Sequence, residues 1–515
     1  MKPLHTSWKQ RKATSRTAVS TPPRKCSASQ VKTRLRKHAT STPCQAAPLE
    51  SGLSPITHTS SAAEGSEDPL DLSHWGLPPE VVAGYGRRGV RRMFPWQLEC
   101  LRTGNVLAGA GNLVYSAPTS AGKTLVAEIL MLKRILETKT KAFLVLPFVS
   151  LAREKELVLA ELFGGCGVRV GGFLGQRRPP GGLSAVDLAV CTIERANNLL
   201  NGMLLDQGTL GELGILVVDE LHLVGDAHRG YLLELMLTKV AYAQKRGLVG
   251  PRGVQVVAMS ATLANLSALA EWLSADLYQT DFRPVPLRQL FKLGQDLCEG
   301  PELRPVHRLP AGTPDDPEGL LALSLETWAE GHALLVFCPT RRAPRRELAE
   351  KLRPQVSVEA GQRLVELLRS TPGAMDPALA SCLSMQVAFH HAGLTMEERD
   401  LLESAFREGS IRALVATTTL SSGVNLPARR VIIRSANFQG RPIDSLSYHQ
   451  MVGRAGRMGL DTQGESILMC RDVDRPLAQR LSRAEAQPIT SCLSGSSTSL
   501  RRALLEVRAM WFFML

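Results

Sequence analysis

The segment Ala117-Pro-Thr-Ser-Ala-Gly-Lys-Thr124 follows a short apolar run, Leu113–Ser116, and precedes a helical pattern that begins near Leu125. A loop between a strand and a helix turns its backbone N–H groups toward one point, where phosphate oxygens fit. Lys123 in such a loop reaches the β- and γ-phosphates, and the Thr124 hydroxyl suits Mg2+. Ala117, Pro118, Thr119, Ser120, Ala121 and Gly122 complete the expected phosphate cradle, with Ala117 standing where the general pattern has glycine. Asp219-Glu220-Leu221-His222 ends a second apolar run, Ile215–Val218. Carboxylates at the tip of a parallel strand lie beside the phosphate loop. Asp219 is assigned to Mg2+, and Glu220 to orienting and deprotonating the attacking water. Gln450, Arg454 and Arg457 fall at i, i+4 and i+7 of a helical pattern and share one face. Gly453 and Gly456 between them allow another backbone to approach. Together these residues predict an ATP hydrolase that uses ATP and Mg2+.

Positioning these groups requires strand tips. Apolar runs at Leu113–Ser116, Ala142–Leu146, Leu188–Cys191, Ile215–Val218 and Gln255–Met259 alternate with helical stretches. A second series follows at Leu334–Phe337, Val387–Phe389, Ala413–Ala416, Val431–Ile433 and Ser466–Met469. Continuous apolar strands separated by helices predict parallel sheets covered on both faces. The fold class is therefore α/β, with two tandem P-loop-type sheets joined near Phe282-Arg283-Pro284-Val285-Pro286. The expected divisions are a disordered basic tail at 1–70, a first domain at 71–284, a second at 285–485 and a further segment at 486–515. Cys298–Gly319, with five prolines, reads as irregular, and Arg341–Pro372 as helical.

Composition narrows the class. The chain has 515 residues, 44% hydrophobic and 21% charged, enough for large buried cores. No run of 18 apolar residues occurs, which excludes a membrane-spanning helix. Ten cysteines without a C-x-x-C pair argue against a disulfide framework or a structural metal. Neighbouring His390 and His391 would face opposite sides of a strand, so they do not form a metal pair. The net charge is +13, and residues 1–60 hold eleven Lys/Arg against one acid, Glu50, leaving the body nearly balanced. The tail clusters Lys9-Gln10-Arg11-Lys12 and Arg34-Leu35-Arg36-Lys37 fit nuclear import or phosphate contact. An Arg/Ser-rich, acid-free start also fits a mitochondrial transit peptide.

The order of A-P-T-S-A-G-K-T, D-E-L-H, Ser260-Ala261-Thr262, His390-His391-Ala392-Gly393-Leu394, Thr417–Pro427 and Gln450–Arg457 resembles the core of the superfamily-two, Ski-type DNA helicases. Within that group, Leu146–Ser150, Cys191–Asn197, Asp226–Leu235 and Thr419–Arg430 are most similar to the helicase-like domains of the DNA polymerase theta family. The likeness implies two RecA-like domains that close on ATP·Mg2+ and step along DNA, with Arg454 and Arg457 as arginine fingers and Gln450 beside them. It implies that Gln97 reads adenine, that Gly423 meets the nucleotide, and that Ser260 and Thr262 couple the Asp219/Glu220 site to strand-tip movement. Pro147, Ser150, Thr192, Arg195, Thr417 and Thr418 would hold the sugar-phosphate backbone, which positions a strand without reading its bases. A β-hairpin around Gln439-Gly440-Arg441-Pro442 would split the duplex.

The implied role is double-strand break repair by microhomology-mediated end joining in the nucleus, on single-stranded or 3′-tailed duplex DNA, with single-strand-binding repair proteins as partners and no membrane. An RNA helicase on the same core and a non-catalytic strand-binding or annealing module are the alternatives. Intact Lys123, Asp219, Glu220, Arg454 and Arg457 weigh against the second. Pro488–Val507 is expected to open a winged helix that 486–515 leaves incomplete. The apolar end Trp511-Phe512-Phe513 suggests a truncated or spliced chain, hence poor processive unwinding.

Overall fold

The structure, a computed structural model, describes residues 68–515 apart from 311, 315, 340–357, 370–376, 418–419, 421–425, 439, 485–487, 496 and 515. The tail expected at 1–70 lies outside the described residues except for its last three positions, and so do Thr418 and Gly423. Of the helices expected in Arg341–Pro372, only Val358–Arg369 is described.

The first sheet has seven strands: β1 Asn112–Ser116, β2 Lys141–Leu146, β3 Val170–Phe173, β4 Leu188–Thr192, β5 Leu213–Val218, β6 Gln255–Ser260 and β7 Ala275–Gln279. They lie in the order β3-β4-β2-β5-β6-β1-β7, and every pairing is parallel. Alternate residues enter opposite cores, as a doubly covered sheet requires. Leu113 and Tyr115 join one cluster, with the helices α1 Pro79–Arg87, α2 Pro95–Arg102, α3 Lys123–Thr138 and α4 Val149–Gly164. Val114 points into the other, with α5 Ile193–Asp206, α6 Gly230–Lys245 and α7 Leu266–Trp272. Each such fully buried apolar side chain contributes about 1.5–3 kcal/mol. Strands β3 and β7 escape a search for apolar runs because one is glycine-rich and the other a polar, half-exposed edge.

The second sheet has eight strands in the order β10-β9-β8-β17-β14-β11-β13-β12. The parallel part comprises β8 Leu287–Leu293, β11 Leu334–Phe337, β12 Val387–His390, β13 Ala413–Ala416, β14 Arg430–Ile433 and β17 Gly464–Cys470. Strands β9 Asp296–Glu299 and β10 Arg304–Arg308 add to it antiparallel. This corrects the reading of Cys298–Gly319 as irregular. Pro305 sits at a register shift on an exposed edge strand, one of the few sheet positions that tolerate proline. A short hairpin, β15 Asn437–Phe438 with β16 Arg441–Pro442, turns at Gly440 where φ is 79°.

After β17 the chain returns to the first sheet. Ile489 N–H donates to Asn265 Oδ1 at 2.9 Å, and Asn265 Nδ2 donates to Ile489 O at 2.8 Å. Ser491 Oγ donates to Glu234 at 2.6 Å. In the final helix, Ser497–Met514, Glu506 accepts from Lys239 at 2.6 Å and from Asn201 at 3.0 Å. Lys239 is buried, so its ammonium needs this carboxylate. The segment Asp226–Leu235, notable in the sequence for its pattern, is thus partly the seat of this strap.

Candidate active site

Three segments build the phosphate loop. Tyr115 at the end of β1 donates to the Lys123 carbonyl at 2.8 Å, and buried Trp96 Nε1 donates to the Ala121 carbonyl at 3.2 Å. Gln97 accepts from Phe94 N–H at 2.8 Å and donates to the Gly122 carbonyl at 2.7 Å. Here its amide, only 2% exposed, braces the loop. Ser120 has φ 68°, a strained value for a residue with a side chain, as functional loops often hold. The Lys123 ammonium donates to Ala117 O at 2.7 Å and Pro118 O at 3.2 Å. Burial lowers its pKa, and the carboxylates of Glu220 and Asp219 partly restore it. A polyphosphate would offer that cation stronger acceptors than two neutral carbonyls.

Asp219 and Glu220 extend from the tip of β5. Burial and the neighbouring Glu220 push the Asp219 carboxyl up to about 6, against the attraction of Lys123. Glu220 adopts the left-handed region at φ 57°. Adjacent carboxylates, one of them with its pKa held up by burial and by the charge of the other, are hard-oxygen donors that fit Mg2+, and Thr124 in the first turn of α3 offers a hydroxyl of the same kind. Bound there, the cation would neutralise phosphate charge.

His222 joins this site to the second sheet. Nδ1 lies 3.3 Å from Glu220 Oε2 and 3.4 Å from the Ala261 N–H, and Nε2 lies 3.3 Å from Gln450 Nε2. Burial holds its pKa down near 4, so the ring is neutral at working pH. With the proton on Nδ1 the ring donates to Glu220 and accepts from the Gln450 amide, and the Ala261 N–H is then only a neighbour of Nδ1 and not a donor to it. The D-E-L-H pattern contains His222 but assigns it no role. Between Ser260 and Thr262, the residues expected to couple the site to strand-tip movement, it is the Ala261 N–H that approaches His222. The buried Ser260 hydroxyl has no hydrogen-bond partner among the described residues, and Thr262 is exposed.

Gln450 belongs to the helix Ser445–Val452, which ends against the phosphate loop. A Cβ on Gly453 would fall 2.7 Å from Thr119 Cβ, so only glycine lets the two sheets meet this closely. Arg454 is buried beside Glu220, whose charge opposes the fall of its pKa to about 10 on burial. Arg457 is placed differently from the expected second finger. Its guanidinium makes two bonds to Asp461, at 3.0 and 2.9 Å, and its N–H a third at 2.8 Å. The i, i+4, i+7 pattern fails here because the helix stops at Val452 and the chain turns before Arg457. A cavity of about 580 Å3 opens beside this junction, with Thr119, His222, Thr262, Arg283, Gln289 and Gln450 on its walls.

Of the residues expected to hold a nucleic-acid backbone, Pro147 follows β2, Ser150 lies in the first turn of α4, Thr192 ends β4 and Arg195 lies in the first turn of α5. Pro147 accepts from Arg229, which sits over the Phe148 ring at 5.4 Å and 3.5 Å from Glu194. Arg229 therefore ties the β2–α4 junction at Pro147 to the start of α5 at Glu194. Thr192 is buried as the residue before α5, and Arg195 donates to Gly175 O. Thr417 follows β13. Arg153 on α4 donates to Met396 Sδ of the second half at 3.2 Å. Among the described residues no group of three or more His, Cys, Asp and Glu could hold a metal, and no helix is long and apolar enough to cross a membrane.

Comparison with known proteins fits this geometry. Residues 95–269 match the DEAD/DEAH box helicase model, and residues 318–459 match the helicase conserved C-terminal domain. The chain belongs to the superfamily-two helicases. A helix-turn-helix domain matches residues 464–510 of this helicase, which contain the strap. DNA polymerase theta of Mus musculus is 46% identical over 481 residues, 86% of this chain and 19% of that protein. Its Drosophila melanogaster counterpart is 46% identical over 85% of the chain and 22% of its own length. The ATP-dependent DNA helicase Hel308 of Methanocella arvoryzae is 35% identical over 86% of the chain and 60% of its own length. The helicase thus spans about a fifth of the theta polymerases it matches. Its two largely parallel sheets are RecA-like domains, and the phosphate loop, the acid pair and Arg454 meet at their junction.

Proposed function

We propose that the chain is an ATP-dependent DNA helicase or translocase, with residues 71–284 and 285–485 as motor domains and 486–515 as the start of a winged helix. The observation that carries this is the link Glu220–His222–Gln450. It joins the carboxylate assigned to hydrolysis on one sheet to the helix of the other that leads into Arg454, so hydrolysis and relative movement of the sheets are coupled. In this reading Glu220 takes a proton from the attacking water, Arg454 steadies charge on the γ-phosphoryl group, and Lys123 holds the phosphates. Pro147, Ser150, Thr192, Arg195, Thr417 and Thr418 grip the strand backbone, and the Asn437–Pro442 hairpin parts the duplex. Gln97 reads adenine once the loop closes on nucleotide, and Gly423 meets the nucleotide from the second domain.

DNA as substrate is supported by the likeness to proteins named DNA polymerase theta and ATP-dependent DNA helicase. Microhomology-mediated end joining in the nucleus, with single-strand-binding repair proteins, extends that likeness. The test is ATP hydrolysis with single-stranded DNA and RNA of one sequence. Strong stimulation by DNA alone supports the reading; equal stimulation by RNA favours an RNA helicase, and no hydrolysis a binding module.

A further inference from the structure

Arg283 lies where the chain crosses from the first sheet to the second, and its guanidinium reaches the turn that carries Arg454. It donates to Ala455 O at 3.1 Å and to Gly453 O at 3.4 Å, the carbonyls on either side of Arg454. Gly453 caps the helix Ser445–Val452, whose C-terminal end favours a cation, and Ala455 lies in the turn beyond it, bridged to Ala428. The Arg454 carbonyl between them accepts from Ala428 N–H at 2.9 Å, and Gly456 N–H donates back to Ala428 O at 2.7 Å.

The crossing segment also presses on the turn directly. Gly456 has φ 96°, and a Cβ there would fall 2.7 Å from Val285 Cγ1. Val285 is held between Pro284 and Pro286, whose rings fix the backbone. Arg283 Nε is buried with no hydrogen-bond partner among the described residues, so the two carbonyls are the groups that orient this guanidinium. Burial lowers its pKa, but guanidinium stays protonated in proteins.

We propose that Arg283 is a positioning residue for ATP hydrolysis: by gripping both carbonyls that flank Arg454, it sets the aim of that finger from the crossing between the domains. The proposal rests on the ATPase reading above. It makes the crossing segment part of the hydrolytic device, since any shift of the two domains that moves Arg283 moves the finger.

The test compares the wild-type chain, Arg283→Ala, Arg283→Lys, Arg454→Ala and the double variant Arg283→Ala/Arg454→Ala under saturating single-stranded DNA. Turnover is measured beside affinity for fluorescent ADP with and without aluminium fluoride, which mimics the transferring phosphoryl group. Arg283→Ala should lower kcat by about 10- to 100-fold, as a misplaced catalytic group does, with the ATP KM within about twofold. ADP affinity should hold while the tightening by aluminium fluoride disappears. Arg283→Lys should recover part of kcat, and the double variant should be no slower than Arg454→Ala alone. Wild-type kcat in Arg283→Ala, or losses that multiply in the double variant, would overturn the proposal. Should Arg283→Ala fail to fold, Arg283→Lys decides: reduced kcat with unchanged ADP affinity supports it, and wild-type kcat overturns it. A wild-type chain with no DNA-stimulated hydrolysis would instead sink the ATPase reading, and the proposal with it.

Discussion

Replacing Asp219 by Asn should make the nucleotide-free chain more stable at pH 7.5 while abolishing its hydrolysis. Folding pushes the carboxyl from 3.8 to about 6, because burial and Glu220 both oppose its charge. Between those values the folded chain holds more protons than the unfolded one. The stabilising contribution is complete below the unfolded value, falls as pH rises through the folded one, and is absent above it. A shift of this size corresponds to roughly 3 kcal/mol at about 1.4 kcal/mol per unit. Asp219 is only partly shielded from water and its charge is shared with Glu220, so about 1–2 kcal/mol is a fairer expectation. For a domain of this size that is about 2–8 °C in melting temperature. The assay is thermal unfolding of both variants from pH 4.5 to 7.5, without nucleotide or divalent cation. Their difference cancels the titrating groups that do not interact with Asp219, so Asn should gain on Asp as pH rises to about 6.5 and the gap should then level off. Added Mg2+ and nucleotide should raise the melting temperature of the wild type far more than that of the variant. An Asn variant less stable than wild type at every pH would refute the reasoning, because the carboxylate would then be stabilised by its surroundings.

Lys123→Ala should lose nucleotide affinity and turnover together, whereas Glu220→Gln should keep nucleotide binding and lose turnover, since an amide cannot take the water proton; wild-type hydrolysis by Glu220→Gln would rule Glu220 out as the base. Arg454→Ala should cost about 10³-fold or more in kcat, in the range of removed arginine fingers. Arg457→Ala should cost less in kcat and show instead as lost stability, because its guanidinium is already committed to Asp461; equal kcat losses would mean that Arg457 leaves Asp461 when nucleotide binds. Deleting residues 1–60, which carry a net +10, should flatten the salt dependence of DNA affinity, by about 0.7–0.9 in log–log slope for each phosphate that the tail neutralises, with core hydrolysis intact. An unchanged slope would mean that the tail does not touch DNA.

What was legible in the sequence is what depends on local pattern. Strands such as Leu334–Phe337 and Ala413–Ala416 lie where continuous apolar runs place them, because a strand covered on both faces has little use for polar residues. The phosphate loop was legible for the same reason: its residue types answer a purely local demand, N–H groups and a cation at one helix start. Strands β3, β7, β9 and β10 were missed because glycine, polar edges and prolines hide them, and only pairing with neighbours fixes them as strands. Arg457 shows a second limit. Its spacing from Gln450 suggests a shared face only while the helix continues, and the helix stops at Val452, beside the glycine that the approach of Thr119 demands. Arg229, Arg283 and the partners of Glu506, to which no spacing assigns a role even where they fall in segments the sequence singles out, act across long separations on backbone carbonyls or buried ions. Such contacts hold the loops and the finger in place while leaving no spacing to read. Local chemistry therefore nominates the reacting groups, whereas tertiary packing places one of two nearby arginines beside Glu220 and pairs the other with Asp461.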